Sequence, residues 1–234
     1  MTAQPPAPQP YSARVSFKKS LSPSALFIQL VPDQTIPFQP GQFCSWLIDQ
    51  HRRPLSFANI PTHPTLDFIV GTAAGGVCSQ YASRLTPGDQ VSFLAPYGRF
   101  ITNPTPQKPI LLIATGTGLA PIRSHLHYLL AHCPHHPITL IFGNHDKENL
   151  FLHDELTKLS HQHPNFSYIP TLSKSSSTWL GQTKLVTTLA PQLIPNLSHH
   201  DIYICGNPNM IKDMTAVLKR HRVPPAQIHT EQYL

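Results

Sequence analysis

The sequence predicts two domains: an N-terminal antiparallel β-barrel followed by a doubly wound α/β domain with a parallel sheet. Three observations support this prediction. The chain has 234 residues, enough for two domains of roughly 100–130 residues each. Its first half contains short β-branched or aromatic runs separated by Pro and Gly, whereas its second half alternates apolar runs with helical segments. A Pro-rich connector at 103–109 separates the two halves.

The first domain is predicted at residues 11–103. Its spaced strands are typical of a small antiparallel barrel, and one helix interrupts them at 79–85. Residues 1–10 are Pro-rich and lack the basic and apolar regions of a signal peptide, so we expect a short disordered tail there. The predicted strands are 14–17, 25–31, 43–48, 65–70 and 90–94.

The second domain is predicted at residues 104–234. Strands and helices alternate along it, which is the rhythm of βαβ units and predicts a parallel sheet with helices on both faces. The predicted strands are 110–114, 138–142, 167–172 and 202–205, with a final extended segment at 227–233. The predicted helices are 120–132, 150–160, 183–190 and 210–220.

Composition excludes several classes of protein. The chain carries a net charge of +6, but its basic residues are scattered, so we predict no nucleic-acid binding. No apolar run approaches the roughly 20 residues of a membrane span. We predict no metal site among the 15 histidines, because His125 and His127, two residues apart on a helix, do not share a face.

Cysteine spacing points to a reducing compartment. Cys44, Cys78, Cys133 and Cys205 lie far apart, and none of them forms a C-x-x-C pair. A disulfide framework or a local iron–sulfur motif is therefore not expected. Together with the absence of a signal peptide, this predicts a cytoplasmic protein.

A glycine turn between an apolar strand and a helix is the first functional motif. Gly116 and Gly118 flank Thr117, and Pro121 falls in the first helical turn, where a missing NH is tolerated. Such a turn lets the backbone approach a pyrophosphate, and the helix N-terminus adds NH groups and partial positive charge. A tight turn without a ligand is the alternative, because Pro121 replaces the third glycine of the usual fingerprint.

A second glycine turn, Gly75-Gly76, opens the helix of the first domain. The NH groups there and the Ser79 hydroxyl suit a phosphate, whereas a serine that caps a short helix is the alternative.

A third motif, Arg53 with Ser56, offers a cation and a hydroxyl on one extended segment. Its alternative is a solvated basic turn.

The fourth motif ends a strand at Cys205-Gly206 and leads into a helix. In an open parallel sheet, ligands bind beyond the carboxyl ends of the strands, so Cys205 is predicted to lie at the same edge as Gly116. A buried small residue is the alternative for Cys205, since free cysteines are commonly buried.

In order and spacing, these four motifs resemble those of the ferredoxin–NADP reductase superfamily, over nearly the whole chain from Tyr11 onward. That family pairs an R-x-[YF]-S flavin segment with a G-x-x-S-like flavin phosphate turn, a G-T-G-x-A-P nicotinamide turn and a C-G-x-P-x-M segment. They stand here at 53–56, 76–79, 116–121 and 205–210. The resemblance is nearest to the stand-alone NAD(P)H:flavin reductases.

The resemblance implies an enzyme that transfers hydride from NADH or NADPH to N5 of FAD or FMN. Ser56 would bond near N5, Cys205 would lie near the nicotinamide, and Arg53 would bind the ribityl phosphate or the polar tail of the flavin. Glu231 and Tyr233 resemble the C-terminal acid and aromatic residue that border the isoalloxazine. The other implied cofactor contacts are Pro54, Leu55, Gly75, Gly76, Val77, Cys78, Ser79, Thr115, Gly116, Thr117, Gly118, Pro121, Gly206 and Met210.

Three questions stay open at this point. Leu55 stands where the family usually has an aromatic residue against the flavin, so the flavin is either a resident group or a passing substrate. Ser173 and Lys174 either meet the 2′-phosphate of NADP or start a loop. The protein is either a flavin reductase, a cluster-free FAD-bound reductase that serves a ferredoxin or oxygenase, or a non-catalytic electron-transfer subunit of the same fold.

Overall fold

The computed structural model describes residues 7–174 and 178–232. Within these residues, the strands form one six-stranded sheet and one five-stranded sheet. The first sheet is antiparallel and belongs to the first half of the chain, and the second is parallel and belongs to the second half. The predicted fold class is therefore confirmed.

The six-stranded sheet has the order β4-β3-β6-β1-β2-β5, and helix α1 packs beside it. Alternation along β6 shows why it forms: Val91, Phe93 and Ala95 are buried while the residues between them are more exposed. The rings of Trp46 and Phe68 pack edge to face in the hydrophobic core of the first domain. The elements are β1 Gln9–Ser22, β2 Ala25–Pro32, β3 Phe43–Ile48, β4 His51–Ser56, β5 Leu66–Gly71, α1 Val77–Arg84 and β6 Gln90–Tyr97.

Two strands differ from the prediction. β1 begins at Gln9, which pairs with Ala95, so the last two residues assigned to the disordered tail belong to the sheet. β4 is a full strand paired with β3, although the sequence indicated only an extended segment. Both differences have one cause: these strands are rich in polar side chains, such as Lys18 and Arg52, so no apolar run marks their length.

The five-stranded sheet has the order β11-β10-β7-β8-β9, with every neighbouring pair parallel. Helices α2 and α3 cover the face toward the first sheet, and α4 and α5 cover the opposite face. The strand order reverses between β7 and β10, which makes a crevice at their carboxyl ends. The elements are β7 Ile110–Thr115, α2 Leu119–His132, β8 Ile138–Asn144, α3 His153–Gln162, β9 Phe166–Leu172, α4 Val186–Leu193, β10 Asp201–Gly206, α5 Pro208–Arg220 and β11 Ile228–Gln232.

Helix α4 begins three residues later than predicted. The backbone of Lys184 is bound twice by Thr171, whose hydroxyl oxygen accepts from the Lys184 NH at 3.2 Å and donates to its carbonyl at 2.5 Å. These bonds hold the backbone of Lys184 beside β9 and prevent it from joining helix α4.

Among the described helices, none is long and apolar enough to cross a lipid bilayer.

Helix α2 joins the two halves of the molecule through Arg123. This buried guanidinium donates to the Ala58 carbonyl at 2.6 Å and to Asp67 at 3.3 Å, both in the first half of the chain. Its Nε also donates to Glu155 of α3 at 2.7 Å. The neighbouring Ser124 hydroxyl donates to the carbonyl of Asn59 at 2.6 Å. Several of these donors and acceptors are shielded from water, so removing one partner leaves the others unmatched.

Arg123→Ala should therefore lower the free energy of unfolding by roughly 3–5 kcal/mol, because Asp67 stays buried without its cation. Urea unfolding monitored by circular dichroism measures the change. Arg220→Ala, which removes an exposed arginine from α5, should change the value by less than about 0.5 kcal/mol. Equal stability of the two variants would contradict this role of Arg123.

Candidate functional site

A cleft of about 680 Å³ opens at the carboxyl edge of the parallel sheet. It lies where the strand order reverses, as expected for an open α/β sheet. Its walls include the turn after β7, the ends of β8 and β9, the start of α4, and the turn from β10 into α5, together with Ser24 between β1 and β2. Among the predicted residues, Thr115, Gly116, Thr117, Gly118, Ser173, Gly206 and Met210 line it.

Two glycines of this cleft are required by close backbone approach. A Cβ on Gly118 would lie 2.4 Å from the carbonyl carbon and oxygen of Cys205. A Cβ on Gly206, which has φ +149°, would lie 2.1 Å from the Thr115 hydroxyl oxygen. Gly116 differs, because it adopts φ +52° with no atom near its missing Cβ. The turn is therefore pressed against β10 on one side and open on the other, so a ligand can approach Gly116.

The turn into α5 is fixed by side-chain hydrogen bonds. Asn207 caps the helix by accepting from the Asn209 NH at 2.9 Å, and its own NH donates to the Thr115 hydroxyl at 3.1 Å. Cys205 is fully buried beneath this turn and Pro121 is buried in α2, so neither side chain lines the cleft. Contact of Cys205 with a nicotinamide stays a prediction.

A lysine that the sequence analysis did not single out lies at the β9 end of the cleft, and contact of Lys174 with a 2′-phosphate stays a prediction. Lys184 lines the cleft, whereas Lys174 is exposed outside it. The sequence could not reveal this, because 183–190 was assigned to a helix and Lys184 lies in the segment held by Thr171. Ser173 does line the cleft, and its hydroxyl lies 3.1 Å from Nδ1 of His145.

A second site lies at the end of β4, where Ser56 meets Glu231. The two residues are 175 positions apart, yet the buried Ser56 hydroxyl donates to Glu231 Oε2 at 2.9 Å. Burial raises the pKa of the Glu231 carboxyl to about 7, against the opposing effect of the Ser56 hydrogen bond. Gly98 is packed closely here, since it has φ +97° and a Cβ on it would lie 3.0 Å from Phe43 and 3.6 Å from Glu231.

The turn before α1 is open to a ligand. Gly75 has φ +60°, and a Cβ on Gly75 or Gly76 would meet no atom within 4 Å. Gly76 occupies the N-cap position, so the proposed capping role of Ser79 is wrong; its hydroxyl instead donates to the Gly76 carbonyl at 2.8 Å. Arg53 is near enough to lower the pKa of the Cys78 thiol, which burial raises more strongly.

The remaining predicted flavin contacts differ in their exposure to solvent. Leu55 and Val77 are partly buried against the core of the first domain, and Pro54 is exposed on β4. Tyr233 lies outside the described residues. Sequence reasoning missed Asn144, which lines the cleft directly after Gly143, although its place after a predicted strand was a usable signal.

Comparison with known proteins agrees with this architecture. Residues 112–216 match the model of the oxidoreductase NAD-binding domain. A phenol hydroxylase P5 protein from Acinetobacter pittii is 31% identical over 97% of this chain, which spans 66% of that protein. Ferredoxin–NADP reductase B from Sorangium cellulosum is 28% identical over 96% of this chain and 98% of its own length. The chain belongs to the ferredoxin–NADP reductase superfamily.

Membership makes the protein an oxidoreductase, as the sequence predicted. Solved structures support the fold: the Amycolatopsis cytochrome P450 reductase GcoB superposes with a TM-score of 0.89 at 24% identity. That match covers 96% of this chain and 70% of the other. Like the phenol hydroxylase protein, it is longer than this chain, which spans about two thirds of each.

Gly118→Ala should destabilise the protein by roughly 1–3 kcal/mol, because the added methyl group meets the backbone of Cys205. Chemical denaturation without nucleotides measures this loss. The matched control is Gly76→Ala, which adds a methyl group where nothing lies nearby and should change stability by less than about 0.5 kcal/mol. A Gly118 variant as stable as its control would refute the close approach.

Glu231→Gln should remove a pH dependence of stability. The folded-state pKa of Glu231 is raised to about 7, so the folded state binds the proton more tightly than the unfolded chain between about pH 4.5 and 7. The free energy of unfolding of the parent protein therefore decreases by up to roughly 3 kcal/mol as the pH rises from about 4.5 to 7. The variant should not show this decrease. Unfolding curves at pH 5 and pH 8 measure it.

The control for this measurement is Glu148→Gln, which neutralises an exposed carboxylate. It should keep the pH dependence of the parent. The assignment fails if Glu231→Gln and the parent lose stability in parallel as the pH rises.

Proposed function

We propose that this protein is an NAD(P)H-dependent flavin oxidoreductase that moves hydride from nicotinamide to flavin N5. The observation that carries the proposal is the contact between the two candidate sites. Cys205 of β10 is the parallel partner of Glu231 on β11, and Gly118 of the cleft presses on the Cys205 backbone. The backbone of Glu231 is therefore one strand spacing, about 4.8 Å, from the backbone of Cys205 beneath the nucleotide cleft.

The residues of the first domain fit a flavin. The Gly75-Gly76 turn is open, and the first amides of α1 point out of the helix N-terminus, where phosphate is favoured. Arg53 on β4 supplies a cation whose charge acts on Cys78 in the first turn of α1, although burial raises the pKa of that thiol more strongly. The Ser56–Glu231 pair lies at the end of β4, so a flavin ring bound beside it would have a hydroxyl and a carboxyl at its edge.

The flavin, when bound, supplies the redox chemistry by accepting hydride at N5. Ser56 would stabilise charge that develops at that edge when Glu231 is protonated, because the carboxyl can then donate to the Ser56 oxygen while the single Ser56 O–H donates to the flavin. Since the pKa of Glu231 lies near 7, its carboxyl is able to take or release a proton at Oε2 near neutral pH.

The cleft would hold the nicotinamide dinucleotide. The open side of Gly116 and the amides at the start of α2 suit the pyrophosphate, and the turn at Gly206 leads toward the Ser56 site. Holding the nicotinamide, which donates the hydride, against the flavin, which accepts it, makes hydride transfer effectively unimolecular. The hydride transfer step itself needs no general base.

A second candidate is an FAD-bound reductase that passes electrons to a separate ferredoxin or oxygenase. The match to a ferredoxin–NADP reductase over 98% of that protein's length favours it. Cytoplasmic location fits both candidates, because the four cysteines are free thiols. The hydrogen-bonded Ser56–Glu231 pair argues against a non-catalytic subunit.

The purified, desalted protein tests the proposal directly. We expect NADH or NADPH oxidation, followed at the nicotinamide absorbance band, to depend on flavin. A yellow protein with near-stoichiometric flavin bands would favour a resident flavin and an onward protein acceptor. A colourless protein that works only with added flavin would favour release of reduced flavin. Unchanged nicotinamide absorbance under every condition would refute the proposal.

Ser56→Ala should lower the rate of hydride transfer at saturating flavin by roughly tenfold to a hundredfold, because one preorganised donor is lost. Stopped-flow measurement of the single-turnover rate is the readout. Ser83→Ala removes an exposed hydroxyl that bonds only within α1 and should match the parent rate. A Ser56 variant with the parent rate would show that this hydroxyl has no catalytic role.

A further inference from the structure

One wall of the nucleotide cleft contains an unsatisfied amide. Asn144 ends β8 and lines the cleft, yet its Nδ2 is buried and has no hydrogen-bond partner among the described residues. Its backbone is held, because its carbonyl accepts from the Ser173 NH at 2.9 Å. Buried donors are nearly always paired in folded proteins, so an unpaired one next to a cleft needs an explanation.

The other described buried atoms without a partner have different surroundings. Nε1 of Trp46 and Nε2 of His125 lie in the apolar core of the first domain and at the junction of the two halves. Neither residue lines the cleft. The hydroxyls of Thr115 and Thr171, which do line the cleft, are both paired. Asn144 therefore carries the unmatched polar atom of this wall.

Strand register places Asn144 beside the glycine turn. Thr115 of β7 and Gly143 of β8 are parallel partners, so the next residues, Gly116 and Asn144, leave adjacent strands side by side. Neighbouring strands lie about 4.8 Å apart. An oxygen bound at the open side of Gly116 would consequently come within reach of the Asn144 amide after a rotation about its last side-chain bond, which is soft.

We propose that Asn144 is a binding residue for the nicotinamide dinucleotide, donating from Nδ2 to an oxygen of its pyrophosphate. This inference rests on the proposed function and adds a specific contact to it. A charged phosphate oxygen is the strongest partner for an amide NH, because hydrogen bonds to charged groups are shorter and stronger than neutral ones. Nucleotide binding would therefore give this donor a charged partner that it lacks among the described residues of the nucleotide-free structure.

Asn144→Leu separates this role from a structural one. The substitution keeps the approximate size but removes the buried donor, so the nucleotide-free protein should melt at the parent temperature or above it. Affinity for ADP-ribose, NADH and NADPH should each fall roughly tenfold or more. Nicotinamide mononucleotide, which lacks the pyrophosphate, should lose little. Isothermal titration calorimetry and thermal melts give the two readouts.

Asn165→Leu is the matched control. Its Nδ2 donates to the His136 carbonyl at 2.9 Å, away from the cleft, so the variant should melt at a lower temperature while binding ADP-ribose with the parent affinity. If Asn144→Leu fails to fold, Asn144→Ala takes its place in the same comparison.

Each outcome is decisive. Parent-like affinity of the Asn144 variant for ADP-ribose overturns the proposal, as does a loss of nucleotide-free stability equal to that of the control. If the parent protein itself binds none of ADP-ribose, NADH and NADPH, the proposed function has failed, and the Asn144 contact fails with it.

Discussion

The docking of helix α2 through Arg123 is the constraint on which the rest of the molecule depends. One guanidinium binds a carbonyl and a carboxylate of the first domain and a carboxylate of α3. Because α2 begins directly after the Gly116–Gly118 turn, its position fixes where the cleft opens relative to β4. The barrel and the cleft therefore have a defined distance and orientation, which hydride transfer requires.

The same helix contributes an uncharged histidine to the junction. His125 packs edge-on against Phe100 and beside Tyr203, and its Nδ1 lies 2.5 Å from the Thr102 hydroxyl. Burial lowers its pKa to about 3, so the ring is neutral under ordinary conditions and behaves as part of the apolar core. The presence of a histidine at position 125 is therefore explained by its packing in the core between the two halves of the molecule.

Local patterns predicted most of the fold, but contacts between distant residues escaped them. The apolar strand β7 and the glycine turn after it were found because continuous burial and a G-x-G turn leave a local pattern. β4 was missed as a strand because polar residues dominate it. The family resemblance implied a place beside the flavin for Ser56 and for Glu231 separately, but their hydrogen bond was not predicted, since nothing local relates residues 175 positions apart.

The position of Lys184 shows a different limit. Its segment has the composition of a helix, yet one threonine hydroxyl on β9 captures its backbone in a non-helical form. Intrinsic propensity is a weak prior that tertiary contacts override. Asn144 illustrates the same limit, because burial of a single amide nitrogen depends on every element that surrounds the end of β8.

The strand that carries Glu231 has a consequence for biosynthesis. Ribosomes release the chain from its N-terminus, so the barrel residues, Ser56 among them, emerge long before β11 does. The acid that completes the barrel's own site arrives only after the α/β domain has assembled and accepted β11 as its edge strand. A nascent barrel therefore lacks the Ser56–Glu231 hydrogen bond until β11 has been synthesised and has joined the parallel sheet.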